Sequence, residues 1–124
     1  MTDCLFCNID TSRIILENDL TYAVYDGYPV TRHHSLIIPK RHIKTYFDLS
    51  DGEREACHEL LIEIKEDILS RDKSVEGFNI GINNGEVAGQ TIFHCHIHLI
   101  PRRRGDVENP RGGIRHVIPG KGDY

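Results

Sequence analysis

The 124-residue chain has no run of apolar residues near the roughly 20 that a helix needs to cross a bilayer. That excludes a helical span, and no membrane partner is expected. The start, Met1-Thr2-Asp3-Cys4, has neither the basic stretch nor the apolar core of a secretory leader, so a cytoplasmic location is expected. Neither sign of charge dominates: 15 Lys and Arg stand against 19 Asp and Glu, a net charge of −4. Nothing draws the whole molecule to nucleic acid or an anionic surface, and no nucleic-acid partner is expected. No internal repeat, low-complexity segment or linker divides the chain. Residues 1–124 therefore read as a single domain, long enough to bury its own core. In a reducing compartment its four cysteines are expected to bind metal or be buried, not to form disulfides.

The most informative stretch is His94-Cys95-His96-Ile97-His98-Leu99-Ile100. Histidine alternates with apolar residues, the period-two pattern of a half-buried strand. His94, His96 and His98 then share one face, with Cys95, Ile97 and Leu99 on the core side. At a rise of roughly 3.3 Å per residue, adjacent histidines stand about 6–7 Å apart and the outer pair about 13 Å. All three cannot ligate one ion at about 2 Å without breaking the strand. A row of imidazoles facing a substrate is the more natural reading. Pro101 is expected to end the strand.

Other elements follow from local signals. Residues 14–17 and 21–26 read as two strands joined by a tight turn at Asn18-Asp19. Ser35-Leu36-Ile37-Ile38 reads as a third strand, stopped by Pro39, and residues 77–83 as a fourth. Ser50-Asp51-Gly52-Glu53 has the form of a capping box. Behind it, Cys57, Leu60, Leu61, Ile64 and Ile68 make the apolar stripe of one long helix over about 51–71. His33 and His34, adjacent before the third strand, read as surface loop residues. Asp26 reads as an ordinary turn aspartate or as an acceptor for a sugar diol. The loop from Asn84 to Thr91 brings glycines and free amides directly before the histidines, a setting suited to phosphate oxygens. Cys4-Leu5-Phe6-Cys7 is a knuckle that offers two thiolates, half of a zinc site. Arg102-Arg103-Arg104 open an irregular Arg- and Gly-rich tail, about 102–124. Their position beside the histidine strand suits either phosphate binding or solvation.

The run from His94 to Ile100 resembles the motif of the histidine triad family, His-φ-His-φ-His-φ-φ with φ apolar. Gly89-Gln90-Thr91 just upstream, Ile38-Pro39-Lys40-Arg41-His42, and the Cys4–Cys7 knuckle resemble further landmarks of its zinc-bearing bacterial members. The resemblance runs from about Cys4 to Arg102. It implies an α+β fold, an antiparallel sheet of about five strands with one long helix, and pairing into a homodimer. It implies an enzyme that hydrolyses or transfers nucleotides at the α-phosphate of a nucleoside phosphoramidate or a dinucleoside polyphosphate such as diadenosine tetraphosphate.

Carried over residue by residue, the resemblance makes His96 the nucleophile of a covalent nucleotidyl-histidine intermediate, with His98 on the phosphate or leaving group. Gln90 and Thr91 bind the α-phosphate, Asn83 contacts substrate and Asp26 holds the ribose. Leu5, Phe6, Ile9 and Tyr25 surround the base. Cys4, Cys7, His42 and His94 become the ligands of a structural zinc, and no cofactor is required for the chemistry itself. Two departures stand out: Cys95 fills a slot that is usually aliphatic, and His33 stands where many members have glycine. The tail from Gly105 to Gly113 resembles a bacterial subgroup likened to dinucleoside polyphosphate hydrolases. Two other readings stay open at this point. One is a nucleotide-binding or regulatory module with little turnover. The other is a metal-dependent hydrolase using His94 and His96 as ligands.

Overall fold

The computed structural model describes residues 3–124, so Met1 and Thr2 of the leader argument lie outside it. Five strands form one antiparallel sheet: β1 (Ile14–Glu17), β2 (Thr21–Tyr25), β3 (Ser35–Pro39), β4 (Val75–Gly81) and β5 (Ile97–Arg103). Their order across the sheet is β1-β2-β3-β5-β4, and one long helix, α1 (Asp51–Arg71), joins β3 to β4. The α+β architecture of five strands and one helix is as expected. No helix among the described residues is long and apolar enough to cross a membrane.

Local chemistry accounts for the elements. The Asn18 side chain closes the first hairpin, its Oδ1 accepting from the backbone amides of Leu20 and Thr21 at 3.1 and 2.9 Å. Its amide donates to the Ala56 carbonyl at 3.0 Å and so pins the hairpin to α1. The capping box is present: Glu53 N–H donates to Ser50 Oγ at 3.1 Å, and Ser50 N–H donates to Glu53 Oε1 at 2.8 Å. One face of α1 buries Cys57, Leu60, Ile64 and Ile68 against Ala23, Ile37, Ile97 and Leu99 of the sheet. The opposite sheet face carries Tyr22, Val24, Leu36 and Ile38, covered by Phe6 and the N-terminal segment.

Two strands are displaced from the bounds expected, and β2 ends one residue early, at Tyr25. The fourth strand is shifted to Val75–Gly81, and Ile82 and Asn83 have already left the sheet. Asn84 there accepts from the Tyr46 amide at 2.8 Å, which holds the departing chain to the segment before α1. The histidine strand begins at Ile97 and runs through Pro101 to Arg103. Leu36 pairs with His98 and Ile37 with Ile97, so continuing that register sets Pro39 opposite Cys95. Pro39 has no N–H to give, and the Cys95 amide turns to the Ile43 carbonyl at 2.7 Å instead. Pro101 is tolerated because it lies beyond the end of β3. On that side its carbonyl accepts from Thr31 Oγ1 at 2.8 Å and no ladder amide is needed.

Glu53 is nearly fully buried and is gripped by Arg41, at 3.0 and 2.8 Å to its two oxygens. The Arg41 guanidinium holds its carboxyl down at about 2, from an ordinary 4.5. This pair ties the end of β3 to the start of α1. Glu53→Ala is expected to cost about 2 kcal/mol at neutral pH, since both the cap and a charged hydrogen bond are lost. A carboxylate held down in the folded state stabilises above its unfolded pKa and ceases to do so as pH falls through the folded one. The gap between the two proteins in urea denaturation should therefore narrow between pH 4.5 and 2.

Candidate active site

Alternation along 94–100 holds even where the ladder does not. His94, His96 and His98 stand on the face away from α1, with Cys95, Ile97 and Leu99 in the core. The three imidazoles are not equivalent. His94 is fully buried, with Nδ1 3.3 Å from Cys4 Sγ, 3.5 Å from Cys7 Sγ and 3.2 Å from His42 Nδ1. Cys7 Sγ lies 3.2 Å from His42 Nδ1. All four ligand atoms lie within 4.8 Å of one another. Tetrahedral zinc with bonds of about 2.0 Å to nitrogen and 2.3 Å to sulfur sets its ligand atoms about 3.3 to 3.8 Å apart. The four residues fit such an ion. His94 Nε2 donates to the Pro39 carbonyl at 2.7 Å, the outer hydrogen bond that orients a ligating imidazole.

His96 turns elsewhere. Its Nδ1 lies 2.8 Å from the His94 carbonyl. A carbonyl only accepts, so Nδ1 carries the hydrogen and Nε2 keeps the lone pair. His96 belongs to neither group of convergent ligand atoms among the described residues, and the reading that pairs it with His94 on one ion finds no support.

His98 is set by a residue that sequence reasoning placed on the surface. His34 is buried, with Nε2 2.9 Å from His98 Nδ1 and 3.5 Å from an Asp26 oxygen. Its Nδ1 accepts from the Val30 amide at 3.1 Å. The hydrogen of neutral His34 is therefore on Nε2, where it is donated to His98 Nδ1. His98 in turn carries its hydrogen on Nε2. Burial, reinforced by His96 and His34, pushes His98 down to about 4, and burial also lowers His34 against the pull of Asp26.

A cavity of about 290 Å³ opens beside this row. Leu5, Phe6, Leu36 and Ile92 give it apolar walls. Asp26, Asn83, Thr91, His96, His98 and Arg13 supply polar groups, and Gly27 and Gly89 let backbone reach its edge. Phe6 stands edge-on to His94 and His96, with centroids 5.9 and 5.1 Å away. The knuckle thus builds a wall of the cavity with the two residues between its cysteines. A larger depression of about 520 Å³ runs along β4 and the Arg102–Asp106 turn, but no row of reactive groups faces it.

Several expected site residues lie elsewhere. Gln90 is buried and does not line the cavity: its Oε1 accepts from the Gly85 amide at 2.8 Å, and its Nε2 donates to the Lys44 and Ile92 carbonyls at 2.7 and 3.1 Å. Its hydrogen-bonding capacity goes into shaping the loop that presents Gly89 and Thr91. Ile9 packs against the apolar cluster of Phe6, Tyr22, Val24, Leu36 and Ile38, the Tyr25 hydroxyl accepts from Arg71 at 2.6 Å, and neither lines the cavity. The basic run is not free for phosphate either. Arg102 pairs with Asp106, Arg103 with Asp72 and Arg104 with Glu76, at 2.8, 2.8 and 3.0 Å. His33 has φ 72°, the one non-glycine residue in the left-handed region among the described residues. The position suits the glycine that many family members have there, and the turn it makes aims His34 inward.

His34 and Arg13 were missed. The pattern held one clue to His34: period two puts it on the face of Leu36 and Ile38. Only the pairing of Leu36 with His98 shows that this face is the one with the histidines.

A family model described as the HIT domain matches residues 9–105. The chain belongs to the histidine triad family. This HIT protein is 37% identical over 108 residues to the adenylylsulfatase HINT3 of Arabidopsis thaliana, a match covering 84% of this chain and 54% of that protein. It is 33% identical over 119 residues to an uncharacterized HIT-like protein of Methanocaldococcus jannaschii, covering 92% and 91% of the two. In structure it is similar to a zinc-bound histidine triad family protein from Mycobacterium smegmatis. There the TM-score is 0.76 at 33% identity, over 85% of this chain and 78% of that one.

The pH behaviour of His98 follows from its burial. A histidine pushed down on folding favours the folded state above its unfolded value of 6.5, and the advantage is lost as pH falls toward 4. In an NMR titration His98 is expected to stay neutral through pH 5.5, while folding stability declines between pH 6.5 and 4. A midpoint for His98 near 6.5 would contradict the tautomer chain.

Proposed function

We propose that this HIT protein is a homodimeric hydrolase or transferase that cleaves at the α-phosphate of a nucleotide through a nucleotidyl-histidine at His96. Family membership supports the coarse reading, a nucleotide-binding hydrolase or transferase. The observation that carries the finer one is the tautomer of His96. With Nδ1–H on the His94 carbonyl, the lone pair of the neutral ring is on Nε2 and needs no metal to activate it. The base lies between Leu5, Phe6 and Ile92, and the ribose hydroxyls on Asp26. Asn83, Thr91 and the Gly89 backbone stand at the phosphate end.

The Nε2 lone pair attacks the α-phosphorus. The bond from phosphorus to the leaving oxygen or nitrogen breaks, and its electron pair leaves with that group. His98 donates its Nε2–H to the charge that develops there. Water then attacks phosphorus and the P–Nε2 bond breaks, restoring the imidazole. Overall, the hydroxyl of water ends on phosphorus and its remaining proton on the leaving group. The leaving group is an amine for a phosphoramidate and a nucleoside polyphosphate for diadenosine tetraphosphate.

Cys4, Cys7, His42 and His94 would hold one zinc ion, which when bound supplies a structural crosslink and no chemistry. The same side chains set the Leu5–Phe6 wall. Pairing of two copies is supported by the free edge of β4, which carries the exposed Ile80.

His96→Ala is expected to reduce turnover of an adenosine phosphoramidate and of diadenosine tetraphosphate by at least about a thousand-fold, and to abolish the acid-quenched nucleotidyl adduct. Equal turnover by the two proteins would sink the assignment. Tight nucleotide binding with no adduct in the wild type would point to a regulatory module. Metal analysis should return about one zinc per chain, and sedimentation should give twice the chain mass.

A further inference from the structure

Most arginines of this chain are committed to partners. Arg41, Arg54, Arg71, Arg102, Arg103 and Arg104 each pair with a carboxylate, and Arg111 and Arg115 lie over the Tyr124 ring. Arg13 forms no ion pair among the described residues. Its guanidinium makes one hydrogen bond there, Nη2 donating to the Tyr25 carbonyl at 3.2 Å. It lies beside Gly27, where a Cβ would touch Nη2 at 3.8 Å. Arg13 is also the only Lys or Arg among the described residues that line the cavity beside the histidine row.

Strand register fixes where this group stands relative to the chemistry. Ile14 pairs with Val24, Val24 with Leu36 and Leu36 with His98. Residues directly opposed on antiparallel strands point to the same face. One row therefore crosses the sheet from His98 to Ile14, and Arg13 is next in the chain to its far end. Three strand spacings of about 4.8 Å make that row roughly 14 Å long. Arg13 Nη2 is anchored on β2, two spacings or about 10 Å from β5, so a phosphate at His96 is outside its hydrogen-bond reach. Asp26 directly follows β2, and its amide donates to the His34 carbonyl at 2.9 Å. With the phosphate at β5 and the ribose on Asp26, the base runs outward past Leu5 and Phe6 toward Arg13.

We propose that Arg13 reads the edge of the base and selects guanine. The proposal rests on the nucleotidyl reading of this cavity and names the nucleoside that reading leaves open. Leu5, Phe6 and Ile92 offer apolar surface to the flat face of any base and discriminate little. The edge decides. Guanine presents two acceptors side by side, O6 and N7, and one guanidinium donates to both. Adenine sets N7 beside an amino group that itself donates, so donor would meet donor. A pyrimidine lacks N7 and is one ring shorter. One Nη2 hydrogen of Arg13 goes to Tyr25, and the second still completes a fork with Nε or Nη1.

The test is calorimetry of GMP, AMP, IMP and 7-deaza-GMP on the purified wild type, Arg13→Met and Arg13→Lys. Turnover of guanosine and adenosine phosphoramidates by the wild type and His96→Ala is measured beside it. Arg13 is exposed, and thermal melts check that its variants are folded. GMP is expected to bind the wild type about ten-fold more tightly than AMP or 7-deaza-GMP. IMP keeps O6 and N7 and should bind like GMP. Arg13→Met should bring GMP and AMP level, and Arg13→Lys, a point charge without the fork, should keep only part of the preference. Equal binding of GMP and AMP by the wild type overturns the proposal, as does a preference that survives in Arg13→Met. A loss in Arg13→Met shared equally by every nucleotide also overturns it, the guanidinium then being a stacking cation. A preference that IMP does not share assigns the contact to the 2-amino group and overturns it too. All of these leave the nucleotidyl reading standing. Turnover retained by His96→Ala overturns that reading alone, and failure of the wild type to bind any of the nucleotides overturns both.

Discussion

His94 is held at three points, and the rest of the site depends on them. Its Nδ1 joins two thiols and a second imidazole, its Nε2 donates to the Pro39 carbonyl, and its own carbonyl accepts from His96. The first contact anchors the N-terminal knuckle, and with it Leu5 and Phe6. The second fastens the segment to the end of β3 at the place where proline has removed a ladder hydrogen bond. The third fixes the tautomer of His96. One buried residue thus connects a cluster suited to metal, a sheet irregularity and the imidazole of His96.

Neutrality is the second constraint on the site. His34 and His98 share a single hydrogen across 2.9 Å, and with the Val30 amide donating to His34 Nδ1 that arrangement holds both rings neutral. Burial supplies that condition by disfavouring the charged forms of both. The backbone amide of Val30 then decides the direction of the chain, because it can only donate. Positive charge is balanced further along β5 and in the turn that follows it. Arg102, Arg103 and Arg104 are matched one by one with carboxylates, and the basic run reads as structure rather than as a phosphate site.

Much of this fold was legible in the residues. The capping box and apolar stripe located α1 at Asp51–Arg71, and alternation separated the histidine face from the core. The family resemblance, carried by the histidine run, the knuckle and the Ile38–His42 segment, is borne out by the family match over residues 9–105. Strand ends were less legible. Pro39 ends β3 as expected, whereas Pro101 sits inside β5 because it turns its missing amide toward a side where β3 has already ended, and that depends on which strands are neighbours.

What the sequence determined by itself is therefore local and periodic: one helix with its cap, the two faces of each strand, and a histidine row of fixed spacing. These follow from residue geometry over a few positions. Tertiary structure decided which groups meet. It brought Cys4 and Cys7 to His42 and His94, aimed His34 at His98, and used up Gln90 on backbone. Each of those contacts joins residues far apart in the chain, and each is set by strand order and register. Alternation along a single strand carries no record of either.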